Sequence, residues 1–234
     1  MTASVVSSVG GPSPGTDGVA GRLADLRRRI DARAGGRSVR IVAVTKGFGP
    51  EAVEAAVAAG VTAIGENYAQ DLVAKAGIGA GGDSVRWHFI GTIQRNKVAT
   101  LAPFVAVWQT IDRPAAADAV ARHSPGATSL VQVNLTGDRA RSGCPLDDAP
   151  EVVAAARDAG LEVRGLMGVG PIGPAEQSRE AFAALAGLAR RLGLPDVSMG
   201  MSDDFEVAVE EGSTMVRLGT ALFGPRSRSN ELRR

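Results

Sequence analysis

The chain is short of reactive side chains: one cysteine, one tyrosine, two histidines and, among 26 basic residues, three lysines. Each scarcity removes a class of chemistry. The single cysteine, Cys144, forms no intramolecular disulfide and builds no cysteine-based metal site; it fits a reducing cytoplasm. His88 and His123 lie far apart and lack a neighbouring carboxylate pattern, which argues against a histidine metal centre. There is no G-x-S-x-G, no Ser-His-Asp arrangement and no Walker loop, so serine hydrolysis and P-loop chemistry lack their parts. Long apolar runs are absent as well, each being broken by glycine or charge, which argues against membrane spans. Basic and acidic residues nearly balance, 26 against 25, and give no general attraction to nucleic acid or anionic lipid.

What is present is alternation. Residues 1–17, rich in Ser, Gly and Pro and lacking the regions of a signal peptide, read as a flexible leader, and 229–234 as a disordered tail. Residues 18–228 read as one domain. An amphipathic stretch at 19–34 stops at Gly35-Gly36, the mark of a helix. After it, short β-branched runs alternate with Ala-rich segments at 40–44 and 50–59, 61–65 and 68–76, 85–90 and 94–101, and 105–110 and 114–122. The second half repeats this at 130–134 and 146–159, 163–167 and 175–192, 196–199 and 203–211, and 215–218 with a short terminal segment. Eight strand–helix units predict a single (β/α)8 TIM-type barrel with an extra N-terminal helix. The runner-up, an open doubly wound sheet, is disfavoured because T-K-G-F-G-P is no G-x-G-x-x-G turn.

A barrel carries its site at the C-terminal strand ends, where this chain keeps its unusual polar residues. Lys46 follows the first strand on the parity of Val42 and Val44. In a chain that otherwise uses arginine, a lysine suggests a place where an amine is needed, because only lysine can lose its proton and form a Schiff base. A rim charge with a snorkelling stem is the alternative, and Lys75 and Lys97 are equally rare. After the eighth strand, Gly219 and Thr220 open a short helix, either as a plain cap or, with Ser202 from the preceding loop, as an anion cradle. Arg217 shares the face of Gly219 and needs an acceptor: a phosphate, a ring nitrogen or a structural carboxylate such as Glu66. His88, between Trp87 and Phe89, reads equally as a hydrogen-bonded core histidine or as a platform against a planar ligand. A Schiff-base lysine, a phosphate cradle and an arginine on adjoining strands describe a receptor for pyridoxal 5′-phosphate.

The motifs V-A-V-T-K, G-E-N-Y-A-Q, W-H-F-I-G-T-I-Q-R-N-K, G-L-M, S-M-G-M-S-D-D-F and V-R-L-G-T-A-L-F-G-P-R resemble those of the pyridoxal phosphate homeostasis protein family, whose barrel is like the alanine racemase N-terminal domain. The resemblance runs from about Val19 to Arg226. It implies that Lys46 carries the cofactor as an aldimine, that Ser202, Gly219 and Thr220 hold its phosphate, that Arg217 faces the pyridine nitrogen, and that Asn67 and His88 line the pocket. It also implies a carrier or buffer of the cofactor that is not an efficient catalyst, with recipient enzymes as partners; few aromatics and no obvious second domain make a monomer the default expectation, in the reducing cytoplasm that the lone cysteine fits. A weak amino-acid racemase is the alternative, disfavoured because the chain is expected to end after the barrel and to lack a second base. Two departures stand out: Gly47 and Phe48 replace a Thr or similar and a second lysine, and the stretch Arg139 to Gly143 has arginine where relatives often carry lysine.

Overall fold

The computed structural model describes residues 16–138 and 140–225. Eight strands, β1 (Arg40–Val44), β2 (Ala63–Glu66), β3 (Arg86–Phe89), β4 (Val105–Ile111), β5 (Thr128–Asn134), β6 (Glu162–Val169), β7 (Asp196–Ser198) and β8 (Met215–Leu218), pair in chain order. All pairings are parallel, and β8 returns to β1, closing a barrel. One helix, α1 (Thr16–Asp31), precedes the strands; the others follow them in turn as α2 (Pro50–Ala58), α3 (Ala69–Gly77), α4 (Arg95–Leu101), α5 (Pro114–His123), α6 (Ala149–Asp158), α7 (Arg179–Arg191), α8 (Phe205–Glu210) and α9 (Thr220–Phe223). The leader expected over 1–17 lies, for its first fifteen residues, outside the described residues, as does the tail at 229–234. Among the described residues no helix is long and apolar enough to cross a membrane.

Local signals account for the alternation. Proline at the first turn starts α2, α5 and α6, where its missing N–H costs nothing. At the end of α2, Gly60 takes φ 88°, with Gly60 N–H bonded to Val57 O at 2.8 Å and Val61 N–H to Ala56 O at 2.9 Å. This double bond satisfies the last helical carbonyls. It also explains why β2 begins at Ala63 and not at the expected residue 61: Val61 is spent on closing the helix. The same pair of bonds closes α6 and α7.

Strand alternation sorts the side chains into two shells. Ile41, Ala43, Ile64, Val216 and Leu218 pack outward into one apolar core with the helices. Val42 and Val44 point inward, since a Cβ placed on Gly65 would meet Val42, Ile90 and Val44. The eighth helical position is filled in an unusual way. With four residues, α9 is too short to cover β8 and β1, and α1 packs beside α2, α8 and α9 in its stead. Val19, Leu23, Leu26 and Ile30 form its buried stripe. Polar ties reinforce it: Arg22 Nε donates to Leu222 O at 2.6 Å, and Arg29 and Arg33 pair with Glu206.

Leu26 is 2% exposed at the centre of that stripe. Leu26→Ala is expected to lower the unfolding free energy by roughly 2–5 kcal/mol in denaturant titration, the range for truncating a buried leucine. A change below about 0.5 kcal/mol, the scale of a surface substitution, would show that α1 is not part of the core.

Candidate functional site

Closure of the barrel pairs Val42 with Arg217 and Ala43 with Leu218, so the chain segments leaving β1 and β8 emerge side by side. Thr45 prolongs the ladder, its N–H bonding Gly65 O at 3.0 Å. The chain then turns, with Phe48 N–H returning to Thr45 O at 3.0 Å and Gly47 at φ 76° in the third position. A positive φ there defines a type II turn and favours glycine. Lys46 holds the second position and is half-buried.

The β8 side supplies a corner of backbone and hydroxyl groups, where the anion cradle is expected. Gly219 is buried, and a Cβ on it would stand 3.3 Å from Val44 O, so this backbone lies directly against the end of β1. Thr220 opens α9 and is exposed. Ser202, in the loop after β7, accepts the Ala221 N–H on its Oγ at 3.1 Å. That loop is held in turn by Asp204, whose Oδ1 accepts the Met201 N–H at 2.6 Å and whose carboxyl is raised by burial. The two sides are joined by Phe48 and Phe223, whose ring centroids lie 5.1 Å apart. Lys46, Ser202, Gly219 and Thr220 thus belong to adjoining segments at one rim.

Arg217 points into the barrel and is 4% exposed. Its Nη1 donates to Ser198 O at 2.7 Å and Ser198 Oγ at 2.8 Å, and its Nη2 to Gly168 O at 2.8 Å. Among the described residues it forms no ion pair, and Nε makes no hydrogen bond. Burial pushes its pKa down to about 10, with Asp204 opposing, so the guanidinium stays charged at neutral pH. The expected alternative of a bridge to Glu66 is corrected. Glu66 lies on the outward face of β2 with Ile64, and a carboxylate on that face does not meet a side chain inside the barrel. Its Oε1 accepts Thr45 Oγ1–H at 2.7 Å and pairs with Lys75 Nζ.

His88 also faces the interior. Its Nδ1 meets Gln109 Nε2 at 2.7 Å, and Gln109 Oε1 accepts from Ser198 Oγ at 2.7 Å. A chain of donors runs from Arg217 through Ser198 and Gln109 to His88. Burial, aided by the charges of Arg86 and Arg40, lowers the His88 pKa to about 3, so the ring is neutral and accepts on Nδ1. Of the two readings of this residue, the geometry is that of a hydrogen-bonded interior histidine, which reaches the rim through Arg217. Asn67 is half-buried just after β2, and its side-chain amide makes no hydrogen bond among the described residues.

The alanine racemase N-terminal domain model matches residues 21–227. A pyridoxal phosphate homeostasis protein of Pseudomonas aeruginosa is 39% identical over 222 residues, covering 89% of this chain and 96% of the relative. The chain belongs to the pyridoxal phosphate homeostasis protein family. Another member of that family, from Escherichia coli K12, is 37% identical and covers 91% of this chain and 99% of its own. Among solved structures, PipY of Synechococcus elongatus with PLP bound superposes with a TM-score of 0.75 at 30% identity, covering 88% of this chain and all (100%) of that one. An unknown protein from Bifidobacterium adolescentis gives 0.82 at 29% identity, covering 89% and 95%. In this member of the homeostasis family, residue-by-residue reading missed Thr45 and Lys75 at the Lys46 turn. A signal was present: lysine's rarity marked Lys75 as much as Lys46, and Lys75 lies three residues after the buried Leu72, on the covered face of α3.

The lowered His88 pKa sets a pH dependence. The unfolded chain takes up this proton near pH 6.5, whereas the native ring stays neutral down to about pH 3. The contribution is fully present above the unfolded value and is lost as pH falls through that window, by roughly 1.4 kcal/mol per pH unit. His88→Gln is expected to flatten the fall in stability between about pH 6 and 4; an unchanged slope in acid titration would contradict a buried neutral histidine.

Proposed function

We propose that residues 18–228 bind pyridoxal 5′-phosphate through Lys46 and act in intracellular homeostasis of the cofactor, as a monomeric cytoplasmic carrier or buffer without efficient catalysis. The observation that carries this reading is the rim itself: a lysine turn, a hydroxyl-lined backbone corner and a buried guanidinium with no ion pair among the described residues, on adjoining strands. The family's name and the PLP-bound relative support it. The residues suit the group. Ser202, Gly219 and Thr220 offer hydroxyl and backbone donors to a phosphate. Asn67 offers a free amide at the rim.

The cofactor supplies an aldehyde that condenses with a primary amine, releasing water. Lys46 provides that amine. Arg217 keeps Nε–H and one Nη2–H for an acceptor such as a ring nitrogen. Because the guanidinium stays charged, it disfavours a proton on that nitrogen, and an unprotonated pyridine is a weak electron sink. The Ser198, Gln109 and His88 chain holds the guanidinium in orientation. These residues therefore favour holding the cofactor over using it, and release to recipient enzymes would need water or a competing amine to undo the same condensation.

Borohydride reduction followed by mass spectrometry is expected to locate one pyridoxyl group on Lys46, and Lys46→Ala to abolish both the adduct and the visible absorbance. Absence of any adduct on Lys46 in the native protein would refute the reading, and alanine racemisation well above that of free cofactor would favour the racemase alternative. Ser202→Ala is expected to weaken binding of pyridoxal 5′-phosphate roughly tenfold, the scale of one hydrogen bond to a charged group, while leaving pyridoxal binding unchanged in absorbance titrations.

A further inference from the structure

The Lys46 turn rests on a buried polar cluster that cofactor binding does not call for. Thr45, immediately before Lys46, has every polar group engaged. Its N–H bonds Gly65 O, its hydroxyl donates to Glu66 Oε1 at 2.7 Å, and its carbonyl accepts both Phe48 N–H at 3.0 Å and Lys75 Nζ at 2.9 Å. Glu66 is 0% and Lys75 5% exposed. Lys75 Nζ also pairs with Glu66 Oε1, so one ammonium ties the end of β1 to the end of β2 from α3.

Stability alone does not account for such a pair, since well-packed apolar residues often match or exceed a buried ion pair. Its geometry does. A compact ammonium with three donors addresses a carbonyl and a carboxylate from one atom and takes less room in this closed corner than the larger planar guanidinium would. This explains a lysine here in an arginine-rich chain. The peptide between Thr45 and Lys46 sets the direction in which Lys46 leaves the strand, and it is this peptide's oxygen that Lys75 grips.

We propose that Glu66 and Lys75 are positioning residues for Lys46: through the Thr45 carbonyl and hydroxyl they fix the turn that presents the amine to the cofactor. The inference rests on the reading of Lys46 given above. Burial raises the Glu66 carboxyl while Lys75 and Thr45 pull it back, so removing Lys75 alone strands an acid in the core.

The informative variant is therefore E66Q/K75M, which removes both charges together, with T45V, which deletes only the hydroxyl contact, as the second. V152A on α6 serves as a destabilised control remote from the site. In cofactor-free protein, exchange of the Phe48 amide, the turn's own hydrogen bond, is expected to rise at least tenfold in E66Q/K75M, and about threefold in T45V, beyond the change in V152A. The dissociation constant for pyridoxal 5′-phosphate is expected to rise about tenfold, the scale at which loss of outer supporting contacts weakens a bound group, and the pH midpoint of the visible band to shift. Should E66Q/K75M not fold, T45V carries the same readouts. Phe48 exchange, affinity and pH midpoint all matching the control would overturn the inference. Absence of a reducible adduct on Lys46 in the native protein would instead overturn the cofactor reading, and Phe48 exchange would still report on the cluster.

Discussion

The rim depends on the parallel pairing of β1 with β8. Those strands stand at opposite ends of the chain, and only their ladder brings Gly219 against Val44 and Phe223 against Phe48. The closing seam is also where the outer ring is thinnest, because α9 is a single turn. The N-terminal helix makes good this deficit: its stripe from Val19 to Ile30 covers the seam, and Arg22 is bonded to α9 itself. Fold closure and site assembly are in this sense one event.

Two buried cations flank the rim and are handled in opposite ways. Lys75 is neutralised by Glu66 outside the barrel wall. Arg217, inside it, is held by neutral acceptors on Ser198 and Gly168, and its orientation is passed through Gln109 to His88. Each link in that chain has one donor and one acceptor, which requires His88 to be neutral, and its lowered pKa meets the requirement. The result is a fixed positive charge with no carboxylate in ion-pair contact among the described residues, Asp204 acting on it only through space, and it faces the end of the barrel. Neutral dipoles orient a charge without cancelling it, whereas a carboxylate would do both.

Much of this was legible in the residues. Gly and Pro punctuation and apolar runs of strand length marked the eight units. Strand parity put Lys46 on one face with Val42 and Val44, and Arg217 on one face with Gly219, and the polar strand-end residues pointed to the rim that carries Lys46, Ser202, Gly219 and Thr220. Glu66 was read only as a candidate acceptor for Arg217, although alternation with Ile64 sets it on the outward face and helical spacing sets Lys75 on the covered face of α3. Gly47 was legible only as a departure from the family pattern; its φ makes it the third residue of the turn presenting Lys46. His88 stayed balanced between two roles because its neighbours in sequence, Trp87 and Phe89, point the other way and contribute nothing to its surroundings.

By itself, the sequence determined the order of elements, which residues of a strand share a face, and that a lysine stands where a strand gives way to a turn, because periodicity and turn chemistry are local. The tertiary structure decided which polar groups meet. Arg217, Ser198, Gln109 and His88 come from β8, β7, β4 and β3, and Lys75 reaches Thr45 from α3. Those encounters follow from strand register and barrel closure, which bring distant segments within hydrogen-bond range and which no local pattern encodes.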